Sequence, residues 1–89
     1  MGMKELEKVL KAFANRRRLA IVRFLKGRKE ASVGEIAEAI HLSFRSTSRH
    51  LAVLSAADIL EKDQRSTQMF YRIAPHVGSV GRYILSLLS

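Results

Sequence analysis

Cysteine is absent from this chain, which excludes disulfides, thiol nucleophiles, iron–sulfur clusters and every thiolate-bound metal together. Proline occurs once, at Pro75, and there is no internal repeat, low-complexity run or linker-like stretch, so one uninterrupted domain over residues 1–89 is expected. No segment approaches the roughly 18 consecutive apolar residues that a membrane span needs. The opening Met1-Gly2-Met3-Lys4-Glu5-Leu6-Glu7 lacks the apolar region of a signal peptide, and the expectation is a soluble cytoplasmic protein. Acidic residues are scarce as well: 8 Asp and Glu face 16 Lys and Arg, a formal charge of +8. An excess of that size in so short a chain favours polyanionic partners, nucleic acid before acidic membrane. Enzymatic signatures are missing too, with no carboxylate pair in apolar surroundings, no glycine-rich phosphate loop and no nucleophile beside an evident base.

Apolar residues make up 47% of the chain and run its whole length, which supports a packed core. A chain of 89 residues nevertheless buries only about 60–65% of its unfolded surface, so a stabilising partner is plausible. Met3, Leu6, Val9, Leu10 and Phe13 recur at three- and four-residue steps and predict an amphipathic helix. Asn15 is placed to cap a second helix whose apolar face holds Leu19, Ile21, Val22, Phe24 and Leu25, and Gly27 stops it. Ser32 and Glu35 have the spacing of a capping box and open a third helix, with Ile36, Ala37 and Ile40 inward and an end at His41-Leu42. Ser43 caps a fourth helix, about 43–57, only a few residues later, and two helices joined by so short a turn cross steeply.

In the fourth helix Phe44, Thr47, Leu51 and Leu54 share one side, while Arg45, Ser46, Arg49 and Ala52 share the other, which carries no acid. Val53 falls near the polar side and is expected to pack against some other element. The period then shortens: Ile59 to Lys62 and Gln68 to Ile73 are β-branched or aromatic, separated by the polar stretch 63–67, and predict a two-stranded ribbon. Pro75 suits the first turn of a last helix bearing Val77, Val80, Ile84, Leu87 and Leu88. The fold class expected is mainly α: a winged helix-turn-helix of five helices and a two-stranded wing.

In a helix-turn-helix the second helix of the pair enters the major groove by its N-terminal half. Arginine donates two hydrogen bonds to guanine, serine hydroxyls serve bases or phosphates, and the helix N-terminus offers amides to phosphate. The candidate DNA-binding residues are therefore Ser43, Arg45, Ser46, Ser48, Arg49 and His50 on this helix, with Arg65 and Thr67 in the wing, about 63–68, on backbone or minor groove. The segment Ser43-Phe44-Arg45-Ser46-Thr47-Ser48-Arg49-His50-Leu51-Ala52-Val53-Leu54 resembles the pattern Ser-Gln-Ser-Thr-Val-Ser-Arg-His-Leu-Lys-Val-Leu of the ArsR family of winged-helix regulators. Ala14-Asn15-Arg16-Arg17-Arg18-Leu19 echoes that family's Ala-Asp-Pro-Thr-Arg-Leu, and Phe70-Tyr71-Arg72-Ile73 its Tyr-Tyr-Arg-Leu, so the likeness runs from about residue 12 to residue 74.

That resemblance implies a transcriptional regulator, of repressor type, which dimerises through its first and last helices, in agreement with the two apolar terminal stripes. Leu6, Val9, Leu10, Ile84, Leu87 and Leu88 are expected at the seam, two recognition helices about one DNA turn apart, and the DNA site near-palindromic. His41 and Asp58 stand where the family has glycine after a helix, and both types tolerate positive φ. Thr47 replaces an aliphatic residue, and its hydroxyl should bond a carbonyl one turn back. The family's metal sites lie in cysteines of the third helix or in Asp and His clusters of the last; Ser32, Val33 and Gly34 occupy the first region and His76 is isolated in the second, so no metal or cofactor is expected. Two other readings compete: a winged-helix module for protein contact whose basic face is incidental, and a sensor of metal or ligand within the same family.

Overall fold

The structure, a computed structural model, describes residues 1–89. The chain runs α1 (Met3–Phe13), α2 (Arg16–Leu25), β1 (Ala31–Ser32), α3 (Val33–Ala39), α4 (Phe44–Ala56), β2 (Leu60–Arg65), β3 (Gln68–Ile73) and α5 (Ser79–Leu87). Local chemistry sets most boundaries. Asn15 Oδ1 accepts from the Arg17 and Arg18 amides at the start of α2, at 3.0 and 3.1 Å. Ser32 and Glu35 close the capping box at α3, at 2.8 and 3.2 Å. Ser43 Oγ accepts from the Ser46 amide at the start of α4. Gly27, His41, Asp58 and Ser66 take positive φ, of 84°, 55°, 59° and 57°. His41 and Asp58 thus end α3 and α4 in the left-handed conformation, without the glycine that costs least there.

Sequence periodicity misses one strand. Ala31–Ser32 pairs antiparallel with β3, so the ribbon is two strands of a three-stranded sheet ordered β1-β3-β2. Two residues are too few to show a period of two, and both also belong to the approach to the capping box. The wing loop is shorter than the stretch 63–67: β2 continues through Arg65, Arg65 lies opposite Gln68, and only Ser66 and Thr67 turn the chain. Nor does Pro75 sit in the first turn of α5, which starts at Ser79 with Gly78 as its N-cap. Pro75 and His76 instead form the turn that leads from β3 towards it.

A single core joins all the elements. Ile21, Val22, Leu25, Ile36, Leu51 and Leu54 are fully buried, with Phe13 of α1, Ile59 and Leu60 of the wing's base, Tyr71 of β3 and Leu85 of α5 around them. At about 1.5–3 kcal/mol for each large aliphatic side chain, this cluster supplies the main drive for folding. Lys26 Nζ at the end of α2 donates to the Leu85 and Leu88 carbonyls, both at 2.8 Å, and so caps the C-terminus of α5. Gly81 is buried where α5 crosses Phe13, and a side chain there would meet Val77. No helix is long and apolar enough to cross a membrane.

Three side chains of α4 depart from the expected pattern. Phe44 belongs to the helix's apolar side by spacing, yet it is 62% exposed, because the first turn of α4 extends past the edge of the core. Val53 is 42% exposed and finds no element to pack against. Thr47 is fully buried, but its hydroxyl has no hydrogen-bond partner; the Ser43 carbonyl one turn back is engaged by Thr47's own amide at 3.0 Å. An unpartnered buried hydroxyl costs about 1–3 kcal/mol, and an apolar group of the same shape avoids that cost. Thr47→Val should therefore stabilise the chain by about 1 kcal/mol, raising the thermal midpoint by about 4–8 °C for a domain of this size. A midpoint that stays level or falls would show that the hydroxyl is satisfied.

Candidate nucleic-acid interface

Helices α3 and α4 are joined by residues 40–43, and α4 lies against α2, α3 and the base of the wing, with Leu51 and Leu54 inward. Arg45, Arg49 and Ala52 are exposed on its outer side, Ser46 and Ser48 are half-buried at its margins, and Ser43 is exposed at its cap. Arg45 and Arg49 enter none of the chain's ion pairs, and no acid occurs within α4. The helix thus presents two unneutralised guanidinium groups, small hydroxyls and the free amides of its first turn on one surface.

His50 is turned the other way. Arg18 donates from Nε to the Ala12 carbonyl at 2.6 Å, from one terminal nitrogen to the Lys11 carbonyl at 3.0 Å, and from the other to His50 Nδ1 at 3.2 Å. Since arginine can only donate, Nδ1 is the acceptor and the imidazole proton sits on Nε2. Arg18 thereby fastens the middle of α4 to the end of α1, which explains why one arginine of the Arg16-Arg17-Arg18 run is half-buried while the other two remain exposed. Burial, and after it the charges of Arg18 and Arg17, hold His50 below the ordinary histidine value of 6.5.

The wing's arginine is already engaged. Arg65 lies at the end of β2, reaches across β3 and grips Glu30 through both terminal nitrogens, at 2.5 and 2.6 Å, while its Nε donates to Asp63 at 3.0 Å. The guanidinium covers the Phe70 ring at 4.6 Å. Arg72 joins the same cluster, bonding Glu61 across the strand pair at 2.6 Å and approaching Glu30 at 3.8 Å. The Arg65 hydrogen bonds are the first cause that holds the Glu30 carboxyl below its ordinary value of 4.5. Nothing local in the sequence marks this cluster, because Glu30 and Arg65 lie far apart in the chain and meet only through the strand order β1-β3-β2. Thr67 is exposed at the wing's tip, and Lys62 is an exposed cation on β2 that motif reading passes over. No group of three or more His, Cys, Asp or Glu stands close enough to hold a metal ion.

The terminal helices expose a second surface, an apolar one. Leu10 and Leu87 are 46% and 64% exposed, and Leu6 is half-buried. Val9, Ile84 and Leu88 are turned partly inward against the core. Met3 and Tyr83, which the stripes of sequence spacing did not single out as seam residues, are the most exposed apolar side chains of α1 and α5, at 88% and 66%.

Comparison with known proteins supplies an independent measure of this arrangement. Residues 13–63 match the family described as a helix-turn-helix domain, more than half of the chain. The transcriptional activator HlyU of Vibrio cholerae is 35% identical over 81 residues, an alignment that covers 83% of this chain and 74% of HlyU. Among solved structures, the homodimeric winged helix-turn-helix DNA-binding domain of Mb0332 from Mycobacterium bovis, a possible ArsR-family transcriptional regulator, superposes with a TM-score of 0.82. Its identity is 30%, over 96% of this chain and 76% of that one. The transcriptional repressor BigR of Xylella fastidiosa gives a TM-score of 0.78 at 28% identity, over 96% of this chain and 83% of its own.

The depressed histidine has a measurable consequence. The unfolded chain takes up the proton of His50 before the folded one does, so this contribution to stability is complete above about pH 6.5 and is lost as the pH falls below it. The thermal midpoint of His50→Gln should drop less than that of the parent chain between about pH 7.5 and pH 5. Equal losses would place the acid sensitivity elsewhere.

Proposed function

Since the chain belongs to the ArsR family of winged helix-turn-helix transcriptional regulators, which are not enzymes, we propose that it binds double-stranded DNA sequence-specifically as a homodimer. Helix α4 lies in the major groove, with Arg45 and Arg49 on base edges or phosphates and Ser43, Ser46 and Ser48 on the backbone near the helix start. His50 supports that helix from behind through Arg18. The wing lies along the backbone or minor groove, where Thr67 offers a hydroxyl and Arg65 would exchange the carboxylate of Glu30 for phosphate. The observation that carries this reading is the bare pair Arg45 and Arg49 on an acid-free helix, in a fold whose other functional-looking arginine is tied down. Arg16, Arg17 and Arg23 are exposed and unpaired as well, so it is the place of Arg45 and Arg49 on the N-terminal half of the second helix of the pair that favours DNA over the reading of an incidental basic face.

Residues 1–89 act as one unit, with Leu6, Val9, Leu10, Ile84, Leu87 and Leu88 at the dimer seam and Met3 and Tyr83 added to it by their exposure. The homodimeric state of Mb0332 supports this assignment. A two-fold dimer sets two recognition helices on one face, about one DNA turn apart, so the site is near-palindromic. We place the protein in the cytoplasm, with the DNA it reads, acting as a repressor by occupying its site. BigR is a repressor and HlyU an activator, so the sign of regulation follows from where such a site lies relative to a promoter. No cofactor enters this reading.

Selection of bound sequences from random duplex DNA tests it, followed by titration of the chosen site against salt. If the dimer neutralises about six phosphates, log affinity should fall against log salt with a slope of about −5. Arg49→Ala should weaken specific binding by about 1–3 kcal/mol, and replacing Arg45 and Arg49 together should abolish selection of a common sequence. Unchanged affinity in the double variant would defeat the assignment.

The seam is tested separately. Leu10→Glu with Leu87→Glu sets charges against each other across the proposed interface and should halve the mass found by light scattering, from twice the chain's 10.0 kDa to once. A parent chain already monomeric at high micromolar concentration would exclude the seam.

A further inference from the structure

The chain has four phenylalanines, and three of them are covered from within. Phe13 is buried beneath α5, Phe24 packs against the core under the Arg28 guanidinium at 4.2 Å, and Phe70 lies under Arg65. Phe44 alone stands open, 62% exposed. The other strongly exposed large apolar side chains are Met1, Met3, Leu10, Tyr83 and Leu87, at the N-terminus and on the proposed seam, and Val53, further along α4. Phe44 therefore belongs to neither the core nor the seam. It is the first residue of α4, one step before Arg45 and one helical turn before Ser48, at the end of the helix that the proposed function puts deepest in the groove. The family pattern set beside this segment carries glutamine at this position, so the aromatic ring is a feature of this chain.

The floor of the major groove offers one apolar group, the C5-methyl of thymine, and apolar side chains including phenylalanine read it by contact. We propose that Phe44 is a specificity-determining residue that packs on a thymine methyl in each half-site, beside the base or phosphate contacts of Arg45 and Arg49. The inference rests on the DNA-binding reading above. Chemistry favours the methyl over a hydrogen-bonding base edge, because a phenyl ring has neither donor nor acceptor and would leave such an edge unpartnered. It also favours contact over insertion between base pairs, because aromatic and aliphatic wedges of that kind act from the minor groove.

The test uses the full chain and the site obtained by selection. Selected sequences should share a thymine at equivalent positions of the two half-sites. Replacing that thymine by deoxyuridine, which removes only the methyl, should weaken binding of the parent chain about fourfold per half-site, the worth of burying one methylene-sized group, and roughly fifteenfold for both. Phe44→Ala should bind the thymine and uracil duplexes equally, with its fold confirmed by an unchanged thermal midpoint. Phe44→Leu should keep part of the discrimination, since it retains an apolar contact. Specific binding by a parent chain that ignores every thymine methyl overturns this inference and leaves the DNA-binding reading intact. So does a Phe44→Ala variant that keeps the full uracil penalty. A parent chain that binds no duplex overturns both.

Discussion

The basic surface that this molecule presents depends on how α4 is seated. Its inner stripe, Leu51 and Leu54, is excluded from water among Ile21, Val22, Leu25 and Ile36, so the helix can neither roll nor slide without opening the core. The capping box of α3 and the Ser43 cap lie on either side of the short turn before it, and His41 absorbs the change of direction in a left-handed conformation. Arg18 adds a second fastening, from α2 to the α1 carbonyls and the His50 ring. An orientation set this way is preorganised, which lowers the ordering cost of association.

Charge is sorted by the same architecture. An excess of +8 on so small a domain repels itself, and the fold offsets part of that by placing its carboxylates where cations serve the structure. Glu30, Glu61 and Asp63 gather beside Arg65 and Arg72 on one face of the sheet, while carbonyl groups hold Arg18, Lys26 and Arg82. Isolated exposed ion pairs contribute about 0–1 kcal/mol, so the value of the sheet cluster lies less in stability than in fixing where the wing stands. Of the remaining cations, Arg45 and Arg49 keep an uncompensated field along α4, while Arg16, Arg17, Arg23 and Lys62 stand exposed elsewhere on the surface. Total charge alone points to polyanions; what distinguishes α4 is a pair of exposed arginines on a helix without acids.

Elements governed by neighbouring residues were legible in the sequence. The Asn15 cap, the Ser32–Glu35 box, the Ser43 cap and the tolerance of positive φ at His41 and Asp58 all follow from chemistry within a few residues. What stayed hidden is non-local. Strand β1 exists because β3 offers it a partner, and the Glu30–Arg65 grip exists because β3 lies between β2, which carries Arg65, and β1, which Glu30 immediately precedes. Phe44 misled for a related reason: helical spacing assigns a side chain to a face, but only the extent of the neighbouring elements determines whether that face is still covered at the helix end. Thr47 shows the converse, a buried position that spacing found and a bond that spacing could not guarantee. For the candidate site, residue identity singled out α4 and the exposure of Arg45 and Arg49 on its outer side, while the turn of His50 inward and the engagement of Arg65 required the tertiary structure.

The terminal helices tie the remaining parts together. Helix α5 is fixed to α2 by Lys26 and crosses α1 at Gly81, where only a glycine leaves room beside Phe13 and Val77; α1 is fixed in turn to α4 through Arg18. A continuous set of stiff contacts therefore runs from the exposed apolar side chains of α1 and α5 to the basic side of α4. In a two-fold dimer built on those apolar faces, the separation of the two basic helices is fixed by these intramolecular contacts and not by any residue touching DNA. In such a dimer, half-site spacing would be a property of the core. Its sequence determinants would be Arg18, Lys26 and Gly81, none of which stands on the outer side of α4.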